Sequence, residues 1–191
     1  MSKELLNHFN KYVKISTNDY EQIIPFFDPI KLNKKELLMH ADKRCNSNHF
    51  VLKGCLHMFF VNDKGIERTV QFALENWWLT DFLAFQHRTT TEFYIQAIEP
   101  AIIWSISYQN QEKLLQKFPQ LEKYFRHIYQ ISYGAALIKM KHLYNFSKEE
   151  MYFNFIEQFP EFAQRVPQYL IASFLGLTPE YVSEIRSKNR S

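Results

Sequence analysis

Glycine is scarce in this chain, four residues in 191, and the scarcity makes each one informative. A residue without Cβ belongs where the backbone turns sharply or another backbone comes close, so Gly54, Gly65, Gly134 and Gly176 each read as a specific backbone need. Cysteine is scarcer still: Cys45 and Cys55 form neither a CxxC pair nor a disulfide framework, which points to a reducing compartment. No stretch is long and apolar enough to cross a bilayer, and the polar, amphipathic start MSKELLNHFNKYV lacks the apolar core of a signal peptide. The protein is therefore expected in the cytoplasm, away from membranes. Low-complexity tracts and internal repeats are missing, as are a phosphate loop, a nucleophile elbow and HExxH. A metal-holding β-roll enzyme would need an HxH pair on neighbouring strands, and His57-Met58-Phe59 is the nearest approach. Neither catalytic nor metal-binding residues are assigned.

Aromatics are abundant, with 18 Phe, 11 Tyr and 3 Trp, enough for a bulky core in a chain of this length. The charge is +3, which permits nucleic-acid binding without requiring it. Leu5, Leu6, Phe9 and Val13 make one helical stripe in residues 3 to about 28, with a second helix start at Ser16 or Thr17. From Leu37 the period changes. Short runs at 37–39, 50–52, 56–61, 68–73, 93–97 and 101–106 are separated by turn signals such as Asn62-Asp63-Lys64-Gly65. Such spacing without intervening helices predicts an antiparallel sandwich or roll.

A long helix is expected from Tyr108, interrupted at Pro119. Beyond the proline, Leu121, Tyr124, Ile128, Ile131, Ala135, Ile138 and His142 alternate at spacings of three and four, a heptad seam. A second stripe, Phe125, Tyr129, Ala136 and Met140, would suit packing on the chain's own β-domain. One stripe is thus available for a second copy and one for the roll, and Gly134 beside Ala135 would let two such helices approach. Ser147-Lys148-Glu149-Glu150 is a capping box opening another helix before Pro160.

After Pro167, the run QYLIASFLGLTPEYVSEIRS has the pattern of a helix-turn-helix. Ile171, Leu175, Leu177, Val182 and Ile185 fall where two crossed helices meet, with Ala172 at the close approach and Gly176 in the turn. Thr178 caps the second helix, Pro179 suits its first turn, and Glu180 favours its positive N-terminus. An ordinary pair of amphipathic helices meeting at a glycine turn would show the same periodicity. From residue 164 onward Arg165, Arg186, Lys188 and Arg190 face Glu180 and Glu184, a thin surplus that a dimer would double.

A β-roll, a long helix and a C-terminal helix-turn-helix occur together in the Crp/Fnr family of bacterial regulators, which this chain resembles over nearly its whole length. The stretches that carry the resemblance are FVLKGCLHMFFVNDKG at 50–65, WWLTDFLAF at 77–85 and YLIASFLGLTPEYVSEIRS at 169–187. The last is similar to the short form found in Bacteroidetes-type members. Gly54 matches a glycine that the family uses at a strand turn. The resemblance implies an α+β fold: an N-terminal antiparallel β-roll (a jelly roll like that of cyclic nucleotide-binding domains) flanked by helices, over residues 1–110. A dimerisation helix over 111–146 and a helix-turn-helix domain over 147–191 would follow, the latter without a wing after Ser191. It also implies a homodimer, DNA as partner, and a small-molecule effector in the roll.

The residue-by-residue match departs from the family at both sites. Cyclic-nucleotide binders hold the phosphate with Gly-Glu and, some ten residues on, Arg-Ser or Arg-Thr. Here Thr80 and Asp81 stand for Gly-Glu, and Thr91 stands where the arginine belongs. Losing that bidentate guanidinium would cost roughly 10²-fold to 10³-fold in affinity, so cyclic AMP is not expected and the cofactor is left unassigned. The candidate pocket comprises Thr80, Asp81, Phe82, Leu83, Arg88 and Thr91, with Arg88 as a substitute for the missing arginine or an exposed loop residue. Two cysteines cannot build the iron–sulfur sensor of one family branch. His40, His49, His57 and His87 leave haem sensing open. The DNA-reading positions carry over to Thr178, Pro179, Glu180, Tyr181, Ser183 and Glu184, with Arg186, Lys188 and Arg190 for phosphates. Glu180 could accept from cytosine N4, whereas Glu184 replaces a commonly basic residue and needs a cytosine donor. Hence two readings stand: a homodimeric DNA-binding transcription regulator, or a ligand-binding or protein-interaction module with weak or lost DNA recognition.

Overall fold

The computed structural model describes residues 3–188. Two compact units divide the chain: one runs up to Met58 and includes Phe72–Ser132, and the other comprises Phe59–Gln71 and the chain from Tyr133 onward. Among the described residues no helix is long and apolar enough to cross a membrane.

The first unit opens with α1 (Glu4–Phe9) and α2 (Thr17–Ile23). Ser16 makes a reciprocal capping box with Asp19, so the second helix starts where the sequence places its cap. Helix does not continue to residue 28. A 3-10 turn with Pro25 near its start follows α2, and the chain then enters strand β1 (Asp28–Leu32). Pro29 is tolerated there because β1 lies at a sheet edge, where a missing N–H need not break a ladder.

Eight strands form two four-stranded sheets. Besides β1 they are β2 (Leu37–Met39), β3 (Ser47–Lys53), β4 (Leu56–Val61), β5 (Glu67–Ala73), β6 (Trp78–Leu79), β7 (Tyr94–Ala97) and β8 (Ala101–Ser107). Their orders are β1-β8-β3-β6 and β2-β7-β4-β5. The pairs β1/β8, β2/β7, β3/β6 and β3/β8 are antiparallel, which bears out the roll. Gly54, at φ +100°, turns β3 into β4. A Cβ there would stand 2.7 Å from Ala101 Cβ and 2.8 Å from the Pro100 carbonyl oxygen, so the close approach accounts for the glycine.

Helix α3 (Phe82–His87) precedes β7, and α4 (Tyr108–Lys117) follows β8. The long helix α5 (Gln120–Asn145) starts just past Pro119. Its first two turns are not free for a partner: Leu121 and Tyr124 are fully buried, and Phe125 and Ile128 nearly so, in a core with Leu5, Phe9, Ile23, Phe50 and Trp78. At its centre the Trp78 indole Nε1–H donates to the Tyr124 hydroxyl oxygen at 2.6 Å, which leaves the phenol proton for His8 Nδ1 at 2.7 Å. Three elements distant in sequence are thereby joined by one side chain.

Burial holds two histidines of this unit neutral. Desolvation, helped by Lys11, pushes His8 down to about 4, and desolvation alone does the same to His49. Both folded-state values lie below the ordinary value of 6.5, so between about 6.5 and 4 the unfolded chain binds protons that the folded chain refuses. Stability is therefore full above pH 6.5 and declines as the pH falls toward 4. Urea unfolding at pH 7, 5.5 and 4.5 should show that decline, and His49→Leu should flatten it by about one bound proton near pH 5.

In the second unit, α6 (Lys148–Gln158), α7 (Pro160–Arg165), α8 (Gln168–Leu175) and α9 (Pro179–Lys188) follow the end of α5. Ser147 and Glu150 form the expected capping box. The same unit includes the outer half of the β4–β5 hairpin.

Candidate sensor pocket and nucleic-acid interface

The turn after β6 places Thr80, Asp81 and Thr91 together. Thr80 is buried and donates through its hydroxyl to the Ser47 carbonyl oxygen at 2.8 Å, with Cys45 Sγ 3.2 Å away. Burial raises the Cys45 thiol pKa above its usual value. Asp81 caps α3, its Oδ1 accepting from Ala84 N–H at 3.1 Å, while its Oδ2 accepts from the Thr91 hydroxyl at 2.8 Å. Thr91 is buried, and its Oγ1 accepts from Phe93 N–H at 3.1 Å. The two positions that stand for the family's acidic residue and its arginine thus satisfy one another.

The other three pocket candidates point elsewhere. Leu83 is 70 % exposed. Phe82 packs edge-on against Tyr129, ring centroids 5.1 Å apart. Arg88 ends α3 in the left-handed region at φ 55°, and its guanidinium lies over the Tyr108 ring at 5.3 Å. Its carbonyl accepts from Arg44 Nε–H at 2.7 Å, so Arg44 secures this loop, a pairing across 44 residues that no local pattern could signal. Arg88 is thus an exposed residue of the loop that follows α3. Among the described residues no three His, Cys, Asp or Glu side chains form a metal-holding group. Cys45 and Cys55 are both buried, and neither forms a disulfide.

The helix-turn-helix is built as its spacing predicts. Ile171, Ala172, Leu175, Leu177, Val182 and Ile185 are all buried, Ala172 and Val182 completely. Gly176 sits at φ +71° and closes α8, and the Thr178 hydroxyl caps α9 by accepting from Tyr181 N–H at 3.2 Å. Thr178, Pro179, Glu180, Ser183 and Glu184 are exposed together, and Tyr181 and Arg186 are half-buried. Glu184 is not left bare: Lys188 Nζ pairs with it at 2.6 Å, one turn on, and its ammonium pKa rises in response. That pairing lessens the repulsion a lone carboxylate would meet at a phosphate backbone. Arg186 turns back toward α8, its Nη1 donating to Gln168 Oε1 at 2.7 Å. Arg190, also expected at the backbone, lies outside the described residues.

Sequence reasoning passes over Ser173 and Lys139, which fasten the hairpin within this unit. The Ser173 hydroxyl donates to the Glu67 carbonyl oxygen at 3.1 Å and accepts from Thr69 N–H at 2.9 Å. Lys139 Nζ donates to the Val70 carbonyl oxygen at 3.1 Å and lies 3.6 Å from the centroid of the Phe174 ring. Desolvation there lowers the lysine to about 8.

Comparison with known proteins places this geometry. Residues 29–118 match the cyclic nucleotide-binding domain family. The structure is similar to the c-di-GMP responsive global regulator CLP of Xanthomonas campestris, with TM-score 0.75, 12 % identity, and 92 % of each chain covered. It is similar to FixK2 of Bradyrhizobium japonicum, with TM-score 0.73, 16 % identity, and 85 % of this chain and 83 % of that one covered. A Eubacterium rectale protein assigned to the Crp/Fnr family gives TM-score 0.72 at 13 % identity, covering 96 % and 88 %. A search of curated proteins finds no match. The roll is thus similar to cyclic nucleotide-binding domains over residues 29–118. The chain that carries it has the fold of the Crp/Fnr transcriptional regulators, and the structures it resembles are those of regulators rather than enzymes.

Proposed function

We propose that the protein is a homodimeric transcription regulator of the Crp/Fnr type that reads DNA with α9 and does not respond to cyclic nucleotides. The observation that carries the reading is the paired arrangement of an exposed α9 face and a bare apolar stripe on the second half of α5. Thr178, Pro179, Glu180, Tyr181, Ser183 and Glu184 read bases, the carboxylates accepting from cytosine N4 and the hydroxyls bonding base edges or phosphates. Lys188 serves the phosphate backbone. Two copies joined along α5 double these sparse contacts, and a regulator this weakly basic needs the doubling to hold DNA.

The sensor role belongs to the roll, residues 1–110, which α5 follows in the sequence. A cyclic phosphate placed at the Thr80–Thr91 turn would meet the Asp81 carboxylate in place of a guanidinium, and Thr91 would have to give up its bond to Asp81. An effector for this roll is therefore of another chemistry. The exposed carboxylates of α9 favour a second reading, an interaction module without DNA recognition, and one experiment separates the two.

Gel-shift titration against genomic fragments should show binding that weakens steeply with salt. Neutralising four phosphates implies a roughly hundredfold loss between 50 and 200 mM. Cyclic AMP at millimolar concentration should leave both this affinity and the melting temperature unchanged. Absence of salt-sensitive binding at any fragment favours the module. A cyclic-AMP-dependent rise in melting temperature refutes the proposed loss of phosphate recognition.

A further inference from the structure

Within the second unit a cavity of about 280 Å³ opens among α6, α7, α8 and α9. Phe153, Ile156, Ala163, Val166 and Ile171 supply apolar side chains, and the polar groups come from Gln168, Arg186 and the Tyr152 hydroxyl. Gln168 and Arg186 are committed to each other on one side only. Gln168 Oε1 accepts from Arg186 Nη1, while Gln168 Nε2 is buried with no hydrogen-bond partner. Among the described residues no carboxylate pairs with Arg186, and none lines the cavity. The polar groups there therefore offer N–H donors and positive charge without a countercharge, and Gln168 Oε1 already accepts one bond from Arg186. A buried amide donor without a partner is costly, and a cavity beside it is where a partner would sit.

We propose that this cavity binds a small organic acid with a single aromatic ring, its carboxylate held between the Arg186 guanidinium and Gln168 Nε2–H and its ring against Tyr152 and Phe153. The donor set selects the acid. A carboxylate accepts from both groups at once in charge-assisted bonds, whereas a neutral amide or alcohol leaves the guanidinium charge without a counter-ion. The volume selects the size, since it lies at the lower end of ligand cavities and takes one ring with a short acid arm. The walls select the body, because aromatic and branched side chains reward apolar area that a hydrated anion such as acetate lacks. Water could fill the space and satisfy Gln168, but it would leave five apolar side chains facing it. The aromatic acid satisfies both halves of the lining.

The test uses the full chain without DNA, so it stands whether or not the protein is a regulator. Benzoate, phenylacetate and 3-phenylpropionate are titrated beside their primary amides, with the Gln168 side-chain NH₂ followed by ¹H–¹⁵N NMR. One or more of the acids should move that resonance saturably, with a dissociation constant on the order of 0.1–1 mM. The matching amides and acetate should bind at least about tenfold more weakly. Arg186→Gln should remove the preference for acid over amide. Ala163→Leu, at an exposed position on the cavity wall, should fill the space and weaken the acids about tenfold while the melting temperature is kept. The Ala163 variant also keeps the test decisive should the Arg186 variant fold poorly. Equal binding of acids and amides, no saturable shift up to 10 mM acid, or unchanged affinity in Ala163→Leu each overturns the proposal.

Discussion

Ile131→Glu combined with Ile138→Glu should leave the protein as single chains at micromolar concentration and cut its affinity for DNA by about a hundredfold or more. Ile131 is 54 % exposed and Ile138 57 %, seven residues apart on α5, with Ala135 and His142 completing their stripe. Tyr133, Leu137, Met140 and Tyr144 lie on the opposite side of the helix at the same three- and four-residue spacing, and they are 46 to 87 % exposed. An isolated helix apolar on both sides is a poor solution in water, and a second copy of the same helix is the self-complementary way to cover one of them. Four glutamates per dimer placed along that stripe would face one another in a desolvated seam, which the seam cannot accommodate. Both positions are open to solvent in the single chain, so its melting temperature should move little once dilution to the monomer is allowed for. Losing half the phosphate contacts then accounts for the fall in DNA affinity. Light scattering and gel shift on the same preparation provide the check, and a variant that remains dimeric with undiminished DNA binding defeats the proposed assembly.

The same helix shows how far the sequence could be read. Spacing identified a seam from Leu121 to His142, yet periodicity says only that a face is apolar, not what covers it. Leu121, Tyr124 and Ile128 are taken by the chain's own aromatic core, and only the stretch from Ile131 onward is free for a partner. The proposed packing stripe was half right for the same reason: Phe125 is buried, but Met140 is 52 % exposed. The helix-turn-helix was legible nearly residue by residue, because Ala172, Gly176 and Thr178 answer local steric and capping demands that the sequence states directly. Two strands were not legible. β1 begins with Asp28-Pro29 and buries only Leu32, so it carries no alternation, and β6 is two residues long. The sensor turn was legible as a departure but not as a bond. Thr91 and Asp81 are ten residues apart with α3 between them, and their mutual satisfaction depends on how α3 ends. The Ser173 bridge to the hairpin spans more than a hundred residues and uses backbone groups, so no side-chain pattern announces it.

Tyr124→Leu should destabilise the first unit by about 4–5 kcal/mol, close to the upper end of what one substitution does. Two losses add. The ring makes edge-on contacts with Phe9 at 4.7 Å, Phe125 at 5.2 Å and His8 at 5.6 Å, and leucine fills only part of the space it leaves. Deleting large core side chains in this way costs about 2–5 kcal/mol depending on how far the site collapses. The hydroxyl accounts for the rest, since without it the Trp78 indole N–H and His8 Nδ1 lose the bonds described above. Each buried polar group left unpaired costs about 1–3 kcal/mol. Tyr124→Phe separates the two contributions, because it keeps the ring and removes only the oxygen, and should cost about 2–3 kcal/mol. Urea denaturation of the three proteins, followed by tryptophan fluorescence, measures both steps. If Tyr124→Phe is as stable as the parent, the Trp78–Tyr124–His8 chain of hydrogen bonds contributes nothing net, and α5 is held to the roll by apolar packing alone.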